Sequence, residues 1–196
     1  MMGFKDIFHT DFSVVNSAHA RVNLIGEHTD YTGGYVLPSL LNFKTTIQIS
    51  KNESKKYQVY SAHFNEQINF TDFIKSKNNK WVDYVKGCLF VFYDENKHIP
   101  NTHLNIFISS TIPMGRGISS SSALCVAILK ALNSFFKTEY TEKHIAILAQ
   151  KAERDYIGVS GGIMDQMVSS IGIHRKAFFL DCLSLKFKLI DLPDNW

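Results

Sequence analysis

Residues 113–122 read Pro-Met-Gly-Arg-Gly-Ile-Ser-Ser-Ser-Ser. Upstream, His103–Ser110 alternates, with Leu104, Ile106 and Ile108 on one side, and the alternation predicts a strand. Downstream, Ala123–Phe136 places Leu124, Ile128, Ala131 and Phe135 at helical spacing. The order is strand, glycine loop, serine-rich helix start. Gly115 and Gly117 permit a tight turn and close backbone approach. Ser119–Ser122 fall at the first helical turn, where free N–H groups and the helix dipole favour an anion. That chemistry suits a phosphate. A serine-capped helix after a glycine turn is the plainer alternative, although four consecutive serines exceed what one cap uses. No Lys-Ser/Thr pair follows the glycines, as a Walker A loop requires, and the third glycine of Gly-x-Gly-x-x-Gly is missing. A nucleotide site here belongs to another class.

Composition narrows the setting. A chain of 196 residues with 45% hydrophobic and 20% charged residues is enough for one soluble globular domain. A net charge of +3, with scattered lysines, argues against a nucleic-acid partner. Cys88, Cys125 and Cys182 are an odd count at wide spacing, which predicts free thiols in a reducing compartment. Residues 1–10 lack the apolar run of a signal peptide, and no segment has membrane-spanning length. The expected setting is cytoplasmic, with no membrane partner.

Outward from the loop, Phe4–Phe12 predicts a short helix or arm, and Ser13–Asn23 a strand. Strands are also expected at Thr45–Ser50, Lys56–Ser61, Gln67–Phe70, Ala177–Cys182 and Lys186–Leu192. Lys75–Lys80 predicts a loop and Trp81–Asp94 a helix, with Trp81 packed in the core. Thr141 caps a helix expected to run to Tyr156, and Ile163–Ile171 forms a short one. On that helix Glu153 reads as a solvated surface glutamate, and Asp165 complements the dipole of its own helix. Early strands followed by alternating helices and strands give an α+β fold, a mixed sheet in layers with helices.

Between the first strands lies Gly26–Gly34, Gly-Glu-His-Thr-Asp-Tyr-Thr-Gly-Gly. Glu27, His28 and Asp30 crowd three polar side chains into four residues, with Arg21 just upstream. Such density suits the directional hydroxyls of a sugar. A turn rich in Asp, Thr and Gly needs no ligand, and a His beside two carboxylates is also compatible with a metal. All three readings stand at this level.

Three stretches together resemble one family. Arg21-Val-Asn-Leu-Ile-Gly-Glu-His-Thr-Asp-Tyr31 is similar to the galactokinase signature. Pro113–Ala123 resembles the phosphate loop of the wider GHMP kinases, and Gly158-Val-Ser-Gly-Gly-Ile-Met-Asp-Gln166 the galactokinase segment that carries a catalytic aspartate. The resemblance implies the ribosomal-protein-S5-domain-2-like fold of GHMP kinase N-terminal domains, a mixed β-sheet covered by helices. It implies ATP-dependent phosphorylation of the anomeric hydroxyl of galactose, with Mg2+ as cofactor. Glu27, His28, Thr29 and Asp30 would then hold the sugar. Asp165 would act as base beside Arg21, and Ser61 and Trp81 would line the nucleotide pocket. Gly115, Arg116, Gly117, Ile118, Ser119, Ser120 and Ser121 would wrap the triphosphate, and Ser121 and Glu153 would hold the magnesium ion. An isolated aspartate titrates near pH ~3.9, so its work is to orient the hydroxyl and take the proton late in transfer.

The family's usual Pro-Gly before the arginine is His19-Ala20 here, and the Cβ of Ala20 disfavours a left-handed backbone. Gly161 stands where Cys is usual, Ser122 where Ala is usual, and Cys125 where an acidic residue is frequent. The resemblance also implies a second, C-terminal domain. Residues 1–196 are accordingly expected to be the N-terminal half, weakly active or inactive alone and self-associating through apolar surface. An N-acetylgalactosamine kinase, another sugar 1-kinase, a non-catalytic galactose- and ATP-responsive regulator and a remnant without function are the alternatives.

Overall fold

The longest strand, β3 (Pro38–Lys51), organises an eight-stranded sheet. On one side it pairs antiparallel with β1 (Val14–Asn23), and on the other with β6 (Leu104–Ser110). Beyond β6 lies β4 (Tyr57–Ser61), paired parallel to it, and then β5 (Glu66–Phe70), antiparallel. At the other end β7 (Lys176–Asp181) meets β3 at Ser39, β2 (Tyr35–Val36) and β8 (Lys186–Asp191). The parallel pairing of β4 with β6, the one parallel pair among the described residues, makes the sheet mixed. The computed structural model describes residues 2–76, 80–113 and 115–193. Residues 77–79 of the expected loop at Lys75–Lys80, Met114 of the glycine loop and Trp196 lie outside the described residues.

The helices are α1 (Phe4–Phe8), α2 (Val82–Glu95), α3 (Ser120–Phe136), α4 (Glu142–Lys151) and α5 (Met164–Ile171). α3 lies against β1 and β3 and is flanked by α2, α4 and α5. Its Val126, Leu129 and Leu132 are buried together with Ile47, Ile49 and Ile106 of the sheet. Each such side chain contributes about 1.5–3 kcal/mol on leaving water. The other face of the sheet is partly covered by α1, where Phe4 packs with Tyr60 and Phe107. Cys88, Cys125 and Cys182 are all free thiols, as their number and spacing predict.

Two expectations change in detail. Thr141 does cap α4, accepting from His144 N at 3.2 Å. The α-helix ends at Lys151, however, and Ala152–Ile157 forms a wider π turn. Here Glu153 O accepts from the N–H groups of both Gly158 and Val159, each at 3.0 Å. The periodicity of the side chains is continuous across this junction, so the change of turn has no signature in the apolar pattern. The second change concerns Ala20. The pairing of β1 with β3 shifts register between His19 and Arg21, and Ala20 sits at that irregularity. It is fully buried against Ile112 and Ala123, outside the left-handed region. The irregularity accommodates an alanine, whose methyl packs inward.

Candidate active site

Arg21, just past that irregularity, reaches across to the start of α5. Its Nε donates to Asp165 Oδ1 at 2.6 Å and its Nη2 to Asp165 Oδ2 at 2.7 Å. The third arm, Nη1, donates to Gly117 O at 2.9 Å. Ser119 Oγ also donates to Asp165 Oδ2. One guanidinium therefore ties the helix bearing the aspartate to the glycine loop. A planar donor fork is suited to two parallel bonds with a carboxylate. The pair is only 14% and 23% exposed, so solvent screens it weakly.

The glycine loop itself stands open. Gly115 and Gly117 both adopt φ +69°, and an added Cβ would meet nothing within 4 Å at either. They are needed for conformation and not for close packing. Ser119 is also left-handed, at φ 62°, and its side chain caps nothing in α3. The serine run thus leaves the N–H groups of the first turn without a side-chain cap. Arg116 and Gly117 are exposed, and Ile118 and Ser119 half-buried.

Two depressions flank the start of α3. The larger, about 540 Å3, is lined by Ser61, Phe64, Trp81, Tyr84, Ser120 and Ser121 among others. Trp81 stacks on Phe64 with centroids 5.9 Å apart and planes 15° from parallel. Its Nε1 donates to Glu66 Oε2 at 2.8 Å. Trp81 thus packs on the core edge and also presents a ring to the cleft. The smaller depression, about 300 Å3, is lined by Arg21, Glu27, His28, Asp30, Glu153 and Asp165, with Gln166 and the 159–162 turn. Ser121 borders both.

The polar turn is built tightly. Asp30 presses on Gly162, where a Cβ would fall 2.1 Å from Asp30 Oδ2, so only glycine allows this approach. Asn23 Nδ2 donates to Glu27 Oε1 at 3.1 Å. Thr29 stands apart from its neighbours. Its hydroxyl lies against Gly26 O at 2.8 Å and Tyr35 O at 2.7 Å, which ties the turn together.

Glu153 is the largest departure from the residue-level reading. It is not solvated but 4% exposed. Its Oε2 accepts from Gln166 Nε2 at 2.6 Å and Ser122 Oγ at 2.8 Å. Burial pushes its carboxyl above the ordinary value, and hydrogen bonds from Ser121, Gln166 and Ser122 oppose that rise. Gln166 Oε1 is buried with no partner. Among the described residues no group of three His, Cys, Asp or Glu converges as a metal cage. The local donors are one carboxylate and serine hydroxyls. Hard oxygen donors of this number fit Mg2+, which is held by one or two carboxylates plus substrate phosphates and water. Gln166 is not among the residues expected at the site, and Ser122 is expected there only as part of the serine run at the helix start. The signal for Gln166 was its place beside Asp165, but only the fold brings both onto Glu153. Phe64 and Glu66 had no signal, because the hairpin of β4 and β5 delivers them to Trp81.

Known proteins share this sequence and fold. Residues 83–172 match the GHMP kinases N terminal domain, and residues 2–51 the galactokinase galactose-binding signature. The chain is 42% identical over 175 residues to a galactokinase of Pyrococcus furiosus, covering 89% of this chain and 49% of that one. The crystal structure of Lactococcus lactis galactokinase complexed with galactose superposes with a TM-score of 0.88 at 34% identity, over 97% of this chain and 50% of that one. A Methanococcus jannaschii mevalonate kinase shares the fold at a TM-score of 0.77 and 21% identity. The chain spans about half the length of the relatives it matches. One chain therefore carries both the GHMP kinases N terminal domain and the galactokinase galactose-binding signature.

Proposed function

We propose that this chain forms the sugar- and nucleotide-facing part of an ATP-dependent kinase that phosphorylates the anomeric hydroxyl of galactose. The observation that carries this reading is the Arg21–Asp165 pair. It lies in the small polar depression, and Arg21 is bonded to the glycine loop. Glu27, His28 and Asp30 face the sugar hydroxyls in that depression. Trp81, Phe64 and Ser61 hold the adenine end of the nucleotide in the larger cleft. The loop 115–121 and the uncapped start of α3 receive the phosphates, with Ser121 at the boundary between the two ligands.

Phosphoryl transfer needs positioning and charge stabilisation more than covalent chemistry. Asp165 has three acceptor positions filled by Arg21 and Ser119. An ionised carboxylate has about four, so one remains on Oδ1 for a hydroxyl. Arg21 and Ser119 hold the carboxylate still while it aligns that hydroxyl and takes its proton as transfer proceeds. Ser121 and Glu153 would hold Mg2+, which when bound neutralises charge on the phosphate oxygens.

Calorimetric titration of galactose, then of Mg-ATP, into the chain tests the reading, with ADP release measured alongside. Galactose binding that is lost in Glu27→Ala supports it. A folded chain that binds neither ligand refutes it for this polypeptide. Binding of both ligands without any ADP release identifies a sensor in place of a kinase.

A further inference from the structure

β1 carries His19 two residues before Arg21, and His174 lies just beyond the end of α5. Their Nε2 atoms are 3.3 Å apart, and the rings meet edge to face, 4.3 Å between centroids at 87°. Neither histidine borders the two depressions described above. The other nitrogen of His19, Nδ1, lies 3.2 Å from Leu41 O. A carbonyl can only accept, so Nδ1 carries the hydrogen and Nε2 of the neutral ring presents a lone pair. In the metal-free chain that lone pair accepts a hydrogen bond from Nε2–H of His174, and an ion between the two nitrogens displaces that hydrogen. Metal-ligating histidines usually donate their second ring N–H to a carbonyl or carboxylate, as Nδ1 of His19 does here. Zinc–nitrogen bonds of about 2.0–2.1 Å in a tetrahedron place two ligand nitrogens about 3.3–3.4 Å apart. The observed separation matches that edge.

We propose that His19 and His174 form a two-imidazole site for a zinc-type transition-metal ion, with water completing the coordination. Burial, His174, Lys44 and Lys130 hold His19 below the ordinary imidazole range, so at neutral pH the ring is the uncharged ligand form. The two lysines also oppose a dication. Lys130 is itself engaged by Glu142 at 2.7 Å and Ser170 O at 2.8 Å. Among the described residues no third His, Cys, Asp or Glu joins the pair. Affinity is therefore modest, and closed structural zinc sites, with four protein ligands, are a poor analogy. The site has a structural consequence. Ser169 Oγ already donates to His19 O at 2.8 Å. A bound ion adds a second tie to β1, which carries Arg21, this one from the segment that follows α5, the helix that carries Asp165.

This inference does not rest on the sugar-kinase reading and survives its failure. The test is a titration of Zn2+ into metal-free, tag-free protein at about pH 7.5, where neutral imidazoles predominate, followed by calorimetry and by melting temperature. One ion per chain and a raised melting temperature are expected. His174 is exposed, so His174→Gln folds, and it should weaken binding by about tenfold or more and remove the thermal shift. His19→Gln should do the same, and His98→Gln, elsewhere on the surface, should leave both unchanged. Lowering the pH should weaken binding, because protons compete with the ion for the ring nitrogens. Absence of Zn2+ binding to the unmodified chain overturns the proposal. So does equal affinity and an equal thermal shift in His174→Gln.

Discussion

Arg21 and Asp165 are separated by 144 positions in the chain and joined by two hydrogen bonds of 2.6 and 2.7 Å. The first lies just past the register shift between β1 and β3 and the second at the start of a helix, so the pair reports the correct docking of α5 on β1. A site defined by that contact assembles only when the domain is folded.

Replacing Asp165 by Asn tests the pair directly. An amide NH2 would face the guanidinium, a donor against a donor, so one charge-assisted bond is lost. Removal of a bond to a charged group costs about 1.5–3 kcal/mol, and the melting temperature should fall accordingly. Galactose affinity should stay within a few-fold. ADP release should drop by about 10^2–10^4-fold, the usual contribution of a positioned base. Retention of turnover within tenfold would remove Asp165 from the chemistry.

Glu153 predicts a trade between stability and function. Its folded-state carboxyl is raised above the unfolded value of 4.5, chiefly by burial. The sign follows from linkage. Its stabilising contribution is complete below the unfolded value and is lost as pH rises through the raised folded value. Glu153→Gln mimics the protonated form and keeps an acceptor for Ser122 and Gln166. Its melting temperature should match the parent in acid and exceed it at neutral pH. The extra thermal shift that Mg2+ adds to ATP should disappear at the same time. A variant less stable than the parent at neutral pH contradicts this account.

Trp81 should report nucleotide binding by its fluorescence, since its ring borders the larger cleft. Trp81→Ala should weaken ATP by about 1–3 kcal/mol, the range for a base stacked on an aromatic ring. Trp81→Phe should be milder, because stacking on Phe64 survives while the donor to Glu66 is lost. An unchanged ATP affinity in Trp81→Ala would place the adenine elsewhere.

Ala20→Gly would restore the residue that the family resemblance leads one to expect. Ala20 is buried in a strand and outside the left-handed region. The substitution removes a packed methyl and adds backbone entropy to the unfolded chain, so it should destabilise by roughly 0.5–1 kcal/mol or slightly more. Urea unfolding measures this. A stabilised glycine variant would mean that the irregularity is strained.

Much of the architecture was legible in residue order. Alternation in 104–108 and helical spacing in 124–135 are local, and the structure returns them as β6 and α3. The cap at Thr141 was equally local, because its bond spans only three residues. The π turn at Ala152–Ile157 was not, since backbone hydrogen bonding there changes without a change in side-chain periodicity. Gln166 is 13 residues from Glu153 and Ser122 is 31, and no spacing rule relates them.

The sequence by itself determined the strand, glycine loop and helix order and the crowded polar turn at 26–34, because these depend on torsional freedom and periodicity within a few residues. It also carried the motifs by which the family is recognised. Only the tertiary structure decided that Glu153 is buried, that Thr29 braces its turn and that Ser121 borders two depressions. It also decided that His19 faces His174. Those facts depend on how α3 and α5 pack on β1 and how α4 packs on both helices, where burial and long-range hydrogen bonds override what each residue would do in a solvated chain.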